Sequence, residues 1–434
     1  MSKINVQQAL NRRTFLKGLG LAVGATAVQG PLFGFAQEGI TVGAVIPLTG
    51  ALQSFGPRFQ VAAQIAVDEV NASGGIPGAG ILQLAVRDSG TNPEIGVASA
   101  TELVTTTGVP AIFGAAASGV TIPITSVTIA NGVFQISASA TSPAISGLDD
   151  NDLVFRTAPS DALQGIVLAD LAFNVKGFKT IAIIARNDAY GAGLADSLKA
   201  NFEGLGGTVS NVSLYDPNTT DFSAEIAAAS ADSPDAISLI TFDEGEGLIT
   251  QMVAAGVTNF NLFVDGNKNQ DLITRLVDGV GAPALEGIVG TAPASADSPG
   301  GKSFAKSYRA RLNEDPFVFT PQSYDALAVT ALAIARAAAG GGTVDGAAIA
   351  ANVRSVANTP GTDFTVGQLG DALKAVAAGD DINYNGASGS VEFDANGDPF
   401  GPVGTWSIKD GTIAESGQVD CGFNADGSPF CASL

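Results

Sequence analysis

Histidine is missing from all 434 residues, and cysteine, methionine and tryptophan nearly so, at 2, 2 and 1. Without histidine there is no Ser-His-Asp or Cys-His relay and no imidazole ligand for a metal. Basic residues are also scarce: 21 lysines and arginines face 42 aspartates and glutamates, for a net charge of −21. Four of the cations, Lys3, Arg12, Arg13 and Lys17, lie in the first 36 residues, where no acid does, so the remainder carries −25. Nucleic acid and anionic membrane both require a basic surface, and neither fits this chain. No phosphate-binding glycine-lysine loop is present, so any ATP is hydrolysed by a partner. Gly18, Leu19, Gly20 and Gly24 make a poor dinucleotide fingerprint, and no cofactor is expected.

What is abundant is small and apolar. Hydrophobic residues make up 46% of the chain, with 54 glycines and only 7% aromatics, which suits a large soluble α/β protein of two or three domains. The N-terminus reads as an address: Asn11, Arg12, Arg13, Thr14, Phe15, Leu16 and Lys17 form a twin-arginine box, followed by an apolar, glycine-rich run and a small-residue site ending Gly34, Phe35, Ala36. The run is too short to span a bilayer, which takes ~20 apolar residues. Cleavage after Ala36 is expected, with the twin-arginine translocase as first partner and the periplasm as destination. Cys421 and Cys431 lie ten residues apart near the C-terminus. In an oxidising compartment a local disulfide is the natural reading. A metal site is the alternative, though two thiolates without histidine are a poor zinc set.

Along the chain, apolar runs at 40–46, 81–87 and 109–113 predict strands, and 58–71 and 93–106 predict helices between them. Phe59, Ala62, Ala66 and Val70 recur at helical spacing, and Gly74 and Gly75 supply a stop. This alternation means βαβ units and a parallel sheet. It restarts after 155–159, with helices at 162–174 and 191–205 and strands at 180–185, 208–213, 236–241 and 261–264. A strand at 287–293, helices at 302–312 and 322–339, and short strands at 391–393, 404–408 and 412–415 complete the reading. Asp394, Asn396, Gly397 and Asp398 predict a tight turn, because a calcium loop starting at Asp394 would need glutamate where Thr405 stands.

The stretch 113–143 stands out. A strand ending at Phe113 leads into Gly114, Ala115, Ala116, Ala117, Ser118 and Gly119; a second strand at 133–136 leads into Ser137, Ala138, Ser139, Ala140, Thr141, Ser142 and Pro143. Ligands of open α/β sheets sit beyond the carboxyl ends of the strands. Two hydroxyl-rich loops there suit a small polar molecule with an anionic group.

These loops, together with Ile46, Pro47, Leu48, Thr49, Gly50, the run Val70 to Ile76, and Gly386, Ala387, Ser388, Gly389 before Phe393 and Asp394, resemble the periplasmic leucine/isoleucine/valine-binding proteins of ABC transporters. The resemblance covers essentially the whole chain after the signal. It implies an α/β, type I binding protein: two doubly wound, Rossmann-like lobes with a ligand cleft between them. Lobe 1 would take 37–157 plus about 291–358, and lobe 2 would take 158–290 plus about 359–434. Relatives that bind amino acids hold the carboxylate with residues matching Ser118, Ser139 and Thr141, although Ser118 and Thr141 could instead cap helices. Tyr190 matches a tyrosine that covers the ligand on closure, and Phe55 an aromatic against its side chain. Phe242 falls where an aromatic lid is supplied, with Asp243, Glu244 and Glu246 following. Asn267 aligns with the usual acidic partner of the ammonium, and Asp265, two residues earlier, could replace it. The implied function is capture of a small carboxylated solute, a branched-chain or other aliphatic amino acid, for a membrane permease and its ATPase subunits. The alternatives are an amide, keto acid or aromatic carboxylate as ligand, a periplasmic sensor, or a hydrolase using a carboxylate pair.

Overall fold

The computed structural model describes residues 39–424 and 428–432. The twin-arginine box and the expected cleavage site lie outside the described residues. Five parallel strands form the first sheet: β1 (Ile40–Ile46), β2 (Leu82–Asp88), β3 (Ala111–Gly114), β4 (Phe134–Ser137) and β5 (Val154–Arg156), in the order β2-β1-β3-β4-β5. Alternate residues serve opposite faces: Val42, Ala44, Ile46, Ala111 and Phe113 join one apolar cluster, Val45 and Ile112 another. Both faces are covered, which is why these strands read as continuous apolar runs.

A second sheet holds parallel strands β6 (Thr180–Arg186), β7 (Thr208–Tyr215), β8 (Ala236–Ile240), β9 (Leu262–Phe263) and β10 (Val289–Pro293). A small parallel pair follows, β11 (Thr362–Thr365) with β12 (Ile382–Asn385). The last strands, β13 (Gly401–Lys409), β14 (Thr412–Phe423) and β15 (Pro429–Cys431), add antiparallel to the second sheet beside β10, and its order is β15-β14-β13-β10-β9-β8-β6-β7. Cys421 and Cys431 face each other across β14 and β15 and are joined as a disulfide. This is the two-lobe type I architecture. Among the described residues the chain crosses between the lobes three times, at 157–160, 294–298 and 394–400.

The boundary after the second crossing differs from the expected one. Residues 359 onward were expected in lobe 2, but Val366, Leu369, Leu373, Val376, Ile382, Tyr384 and Phe393 pack in the same cluster as Val42 and Ala44 of the first sheet. The reason is the long helix Thr320–Ala338, in which every residue but Arg336 is buried. A helix apolar all round needs cover on all sides, and the helices Gly346–Ala357 and Leu369–Ala378 supply part of it. Its Asp325, pushed up to about 6 by burial, accepts from the Ala387 N–H at 2.6 Å, the Ser388 N–H at 2.8 Å and the Ser388 Oγ at 2.6 Å. The Gly386–Gly389 motif is therefore a wrap around a buried carboxylate. The helix serves the interior, and among the described residues no single helix is long and apolar enough to cross a membrane.

Residues 394–398 form the expected tight turn, with Asp394 Oδ1 accepting from the N–H groups of Asn396 and Asp398 at 2.8 and 3.0 Å.

Candidate functional site

The carboxyl ends of β3 and β4 deliver the two hydroxyl loops to one edge of the first sheet, opposite the second lobe. Gly114 ends β3 at φ +124°, and a Cβ there would strike the Val45 carbonyl oxygen at 2.2 Å, so the first loop needs glycine to leave the sheet. Under the loops lies a buried polar scaffold. Ser137 Oγ donates to the Ala115 carbonyl at 2.6 Å and accepts from the Ala140 N–H at 3.0 Å, tying one loop to the other. Gln135 and Thr121 donate to carbonyls of the same turn.

The helix Ser118–Thr128 starts at the cavity wall, and Ala117 before it provides no side-chain cap. The Val120 N–H turns back to the Ala117 carbonyl at 2.9 Å, and the N–H groups of Ser118 and Gly119, with the positive dipole end, are left for an anion. Ser118 Oγ accepts from the Ser142 N–H at 3.1 Å, which keeps its own proton free to donate. Ser139 also lines the cavity, its hydroxyl donating to the Ala116 carbonyl at 3.1 Å. Thr141 does not line it: its hydroxyl donates to Asp161 Oδ2 at 2.8 Å, one layer behind the surface. Neither Ser118 nor Thr141 caps a helix through its side chain.

The facing wall belongs to the second lobe and is acidic. Asp188 caps the helix Ala189–Gly204 by accepting from the N–H groups of Tyr190 and Gly191, which fixes Tyr190 at the cleft. Tyr190 OH and Gln164 Nε2 both donate to Asp265 Oδ1, each at 2.8 Å. Asp161, the first residue of the helix Asp161–Asp170, is fully buried, and among the described residues its Oδ1 has no hydrogen-bond partner. Burial, then repulsion from Asp265, pushes the Asp161 carboxyl well above the usual range, and burial raises Asp265 as well. Tyr190 is held neutral by burial and by these acids. Asp265 lines the cavity, and Asp161 stands buried behind it beside Thr141, so the second-lobe side carries one carboxyl at the surface and a second in the layer beneath.

Between the two walls the cavity is narrow, about 20 Å³. Its remaining lining is apolar: Leu52, Phe55 and Phe319, with Phe242 stacked on Tyr190 at 5.1 Å. Arg186 sits over the outer face of Phe242, 3.9 Å from the ring centroid, and is itself pinned by Asp188 and Glu244. The lobes are shut. Ser142 Oγ donates to the Ala189 carbonyl at 2.7 Å, the Asp243 N–H to the Ala51 carbonyl at 3.3 Å, and Arg58 pairs with Asp271 at 3.0 Å.

Of the two candidates for an ammonium partner, the cavity takes Asp265. Asn267 is turned inward, donating to Thr241 Oγ1 at 2.6 Å and accepting from the Val264 N–H at 3.2 Å, so it shapes the turn that presents Asp265. The acids after Phe242 are engaged elsewhere: Asp243 with Asn269, Glu244 with Arg186 and Tyr215, Glu246 with Arg275. Sequence reading missed Asp161, Gln164 and Phe319. The only signal for Asp161 was an acid directly after a helix-capping serine, which ordinary helices also show.

The periplasmic binding protein family profile matches residues 39–380. The chain is 30% identical over 362 residues to the Leu/Ile/Val-binding protein BraC3 of Rhizobium johnstonii, covering 82% of this chain and 94% of that one. It is 28% identical over 400 residues to the chemotactic signal transduction system substrate-binding protein BasB of Halobacterium salinarum, covering 90% and 92%. Among solved structures, the leucine-binding protein LivK of Thermotoga maritima superposes with a TM-score of 0.74 at 24% identity, over 87% of this chain and 98% of that one. By profile, relatives and fold alike, the chain belongs to the periplasmic binding protein family.

Proposed function

We propose that this protein is the exported receptor of an ABC importer and captures an α-amino acid with an apolar side chain, of the leucine, isoleucine or valine kind. One observation carries the reading: an uncharged donor wall faces the buried carboxyl of Asp265, backed by that of Asp161, across the cavity. The ligand carboxylate is held by Ser118, the uncapped helix end and the second-loop amides; Ser139 adjoins it. Its ammonium sits between Asp265, Asp161 Oδ1 and Tyr190, where it offsets the repulsion of the two acids. Its side chain lies against Leu52, Phe55, Phe242 and Phe319. Thr141 acts through Asp161, and Asn267 through the turn it holds.

Closure would follow a hinge motion of the crossing segments, and the closed form would be read by a permease with its ATPase subunits. Export by the twin-arginine route fits the N-terminal sequence. A sensor role is the second reading, favoured by the extent of the BasB match; permease and ATPase genes beside this one support the importer, a transducer gene the sensor.

A thermal-shift screen of the purified protein tests the ligand class. A ligand bound by the folded state alone stabilises it by ~2.7 kcal/mol at a hundredfold excess over Kd. Shifts with aliphatic amino acids, recovered intact, are expected. Shifts only with keto acids, amides or aromatic carboxylates would replace the amino acid in this reading, and turnover of the bound compound would replace binding with hydrolysis.

A further inference from the structure

Arg156 ends β5 and is fully buried, yet it touches no part of the cavity. All five of its N–H donors are used. Nε and Nη2 form a fork onto Asp398 at 2.6 and 2.7 Å, Nη2 also donates to Ser146 Oγ at 2.8 Å, and Nη1 donates to the carbonyls of Ala140 and Ser142 at 3.2 and 2.9 Å. Ser146 closes the ring by donating to Asp398 Oδ2 at 2.6 Å. The Arg156 N–H donates to the Gly397 carbonyl at 3.0 Å, and a Cβ on Gly397 would meet the Val154 carbonyl oxygen at 2.7 Å. The end of β5 and the third crossing segment are thus locked together directly behind the second hydroxyl loop.

In a trans peptide the N–H points opposite to the preceding carbonyl. With the Ala140 carbonyl turned onto Arg156, the buried Thr141 N–H is turned the other way, from the layer just behind the cavity lining, and no described residue accepts from it. We infer that Arg156, oriented by Asp398, is a positioning residue that presents the second-loop amide to the ligand carboxylate. This rests on the proposed placement of the carboxylate. A buried, uncharged loop would not hold two carbonyls back from the ligand unaided; the guanidinium supplies a rigid, planar counter-charge that an ammonium cannot copy. Because Asp398 lies on a crossing segment, the loop geometry is set by the hinge as well as by the first sheet.

The test compares L-leucine with L-leucinamide, which lacks the carboxylate, by calorimetry on the purified protein. Arg156→Lys is expected to weaken leucine by about tenfold or more, as loss of an orienting contact does, and to change leucinamide far less. A merely structural role would weaken both alike, so equal losses, or none, overturn the inference. Ser146→Ala removes only the bridging hydroxyl, leaves the ion pair, and is expected to shift the same ratio in the same direction if Arg156→Lys does not fold. If the unmodified protein binds neither probe, the ligand reading has failed on its own, and hydrogen exchange decides the inference. Faster exchange confined to residues 139–146 in Ser146→Ala or Asp398→Asn supports it, and unchanged exchange there overturns it.

Discussion

The first-lobe wall of the cavity offers Ser118, Ser139 and an uncapped helix end, all neutral, whereas the second-lobe wall offers Asp265, with Asp161 fully buried behind it. The difference teaches what each lobe can do alone. Hydroxyls and amides on the first lobe can hold an anion while open to water, since each, being neutral, carries a far smaller desolvation penalty than a charge. The acids of the second lobe are costly in the closed form, where burial raises both pKa values and repulsion from Asp265 adds to that of Asp161. Closing on a carboxylate without a cation would leave that cost in place. In the proposed reading, closing on a zwitterion removes it, and the two walls together select for both ends of an amino acid.

Breaking the acidic side has the largest expected effect. Asp265→Asn should cost about 3 kcal/mol in leucine binding, or ~150-fold in Kd by calorimetry, because it leaves a buried ammonium short of its partner. Asn267→Ala, by contrast, should lower Tm while leaving the ranking of ligands unchanged. On the donor side, Ser118→Ala should cost about 1.5 kcal/mol, the scale of a hydrogen bond to a charged group, and the loss should vanish for leucinamide.

The pH dependence separates the walls without mutation. The empty protein holds protons on Asp161 and Asp265 more tightly than the unfolded chain, whose value is near 3.8. Their contribution to stability is therefore present below that value and is lost as pH rises through the raised pKa values. An ammonium ligand needs those carboxyls ionised, so leucine affinity should rise, by up to about tenfold per pH unit, over the window in which the empty protein loses this contribution. Asp325, pushed up to about 6, gives the stability trend the same sign but should not affect affinity. The smallest effect is expected at the rim: Arg58→Ala breaks the pair with the half-exposed Asp271 and should weaken binding by about 0.5 kcal/mol, mainly through faster release.

The donor side was the legible one. Strand periodicity and small-residue loops place Ser118 and Ser139 at strand ends, where an α/β sheet puts its ligands. The acidic side was legible only at Tyr190 and Asp265, because what makes Asp161 matter is its meeting with residues distant in sequence; Gln164 and Asp265 are 101 positions apart, Arg156 and Asp398 are 242. The same long-range packing explains the misplaced lobe boundary, since nothing local ties residues 362–393 to a helix that begins at Thr320. Phe319 was missed for a different reason: it reaches the cavity from a left-handed backbone, φ +65°, that is rare for a bulky side chain and carries no sequence mark.

The most direct test of the two-wall account is a calorimetric comparison of L-leucine, 4-methylpentanoate and L-leucinamide with the unmodified protein at neutral pH. The account predicts that leucine binds far more tightly than either, since each analogue satisfies one wall and leaves the other unpaired. Binding of 4-methylpentanoate as tight as that of leucine would contradict it, because Asp265, facing the cavity, would then have no cation to receive.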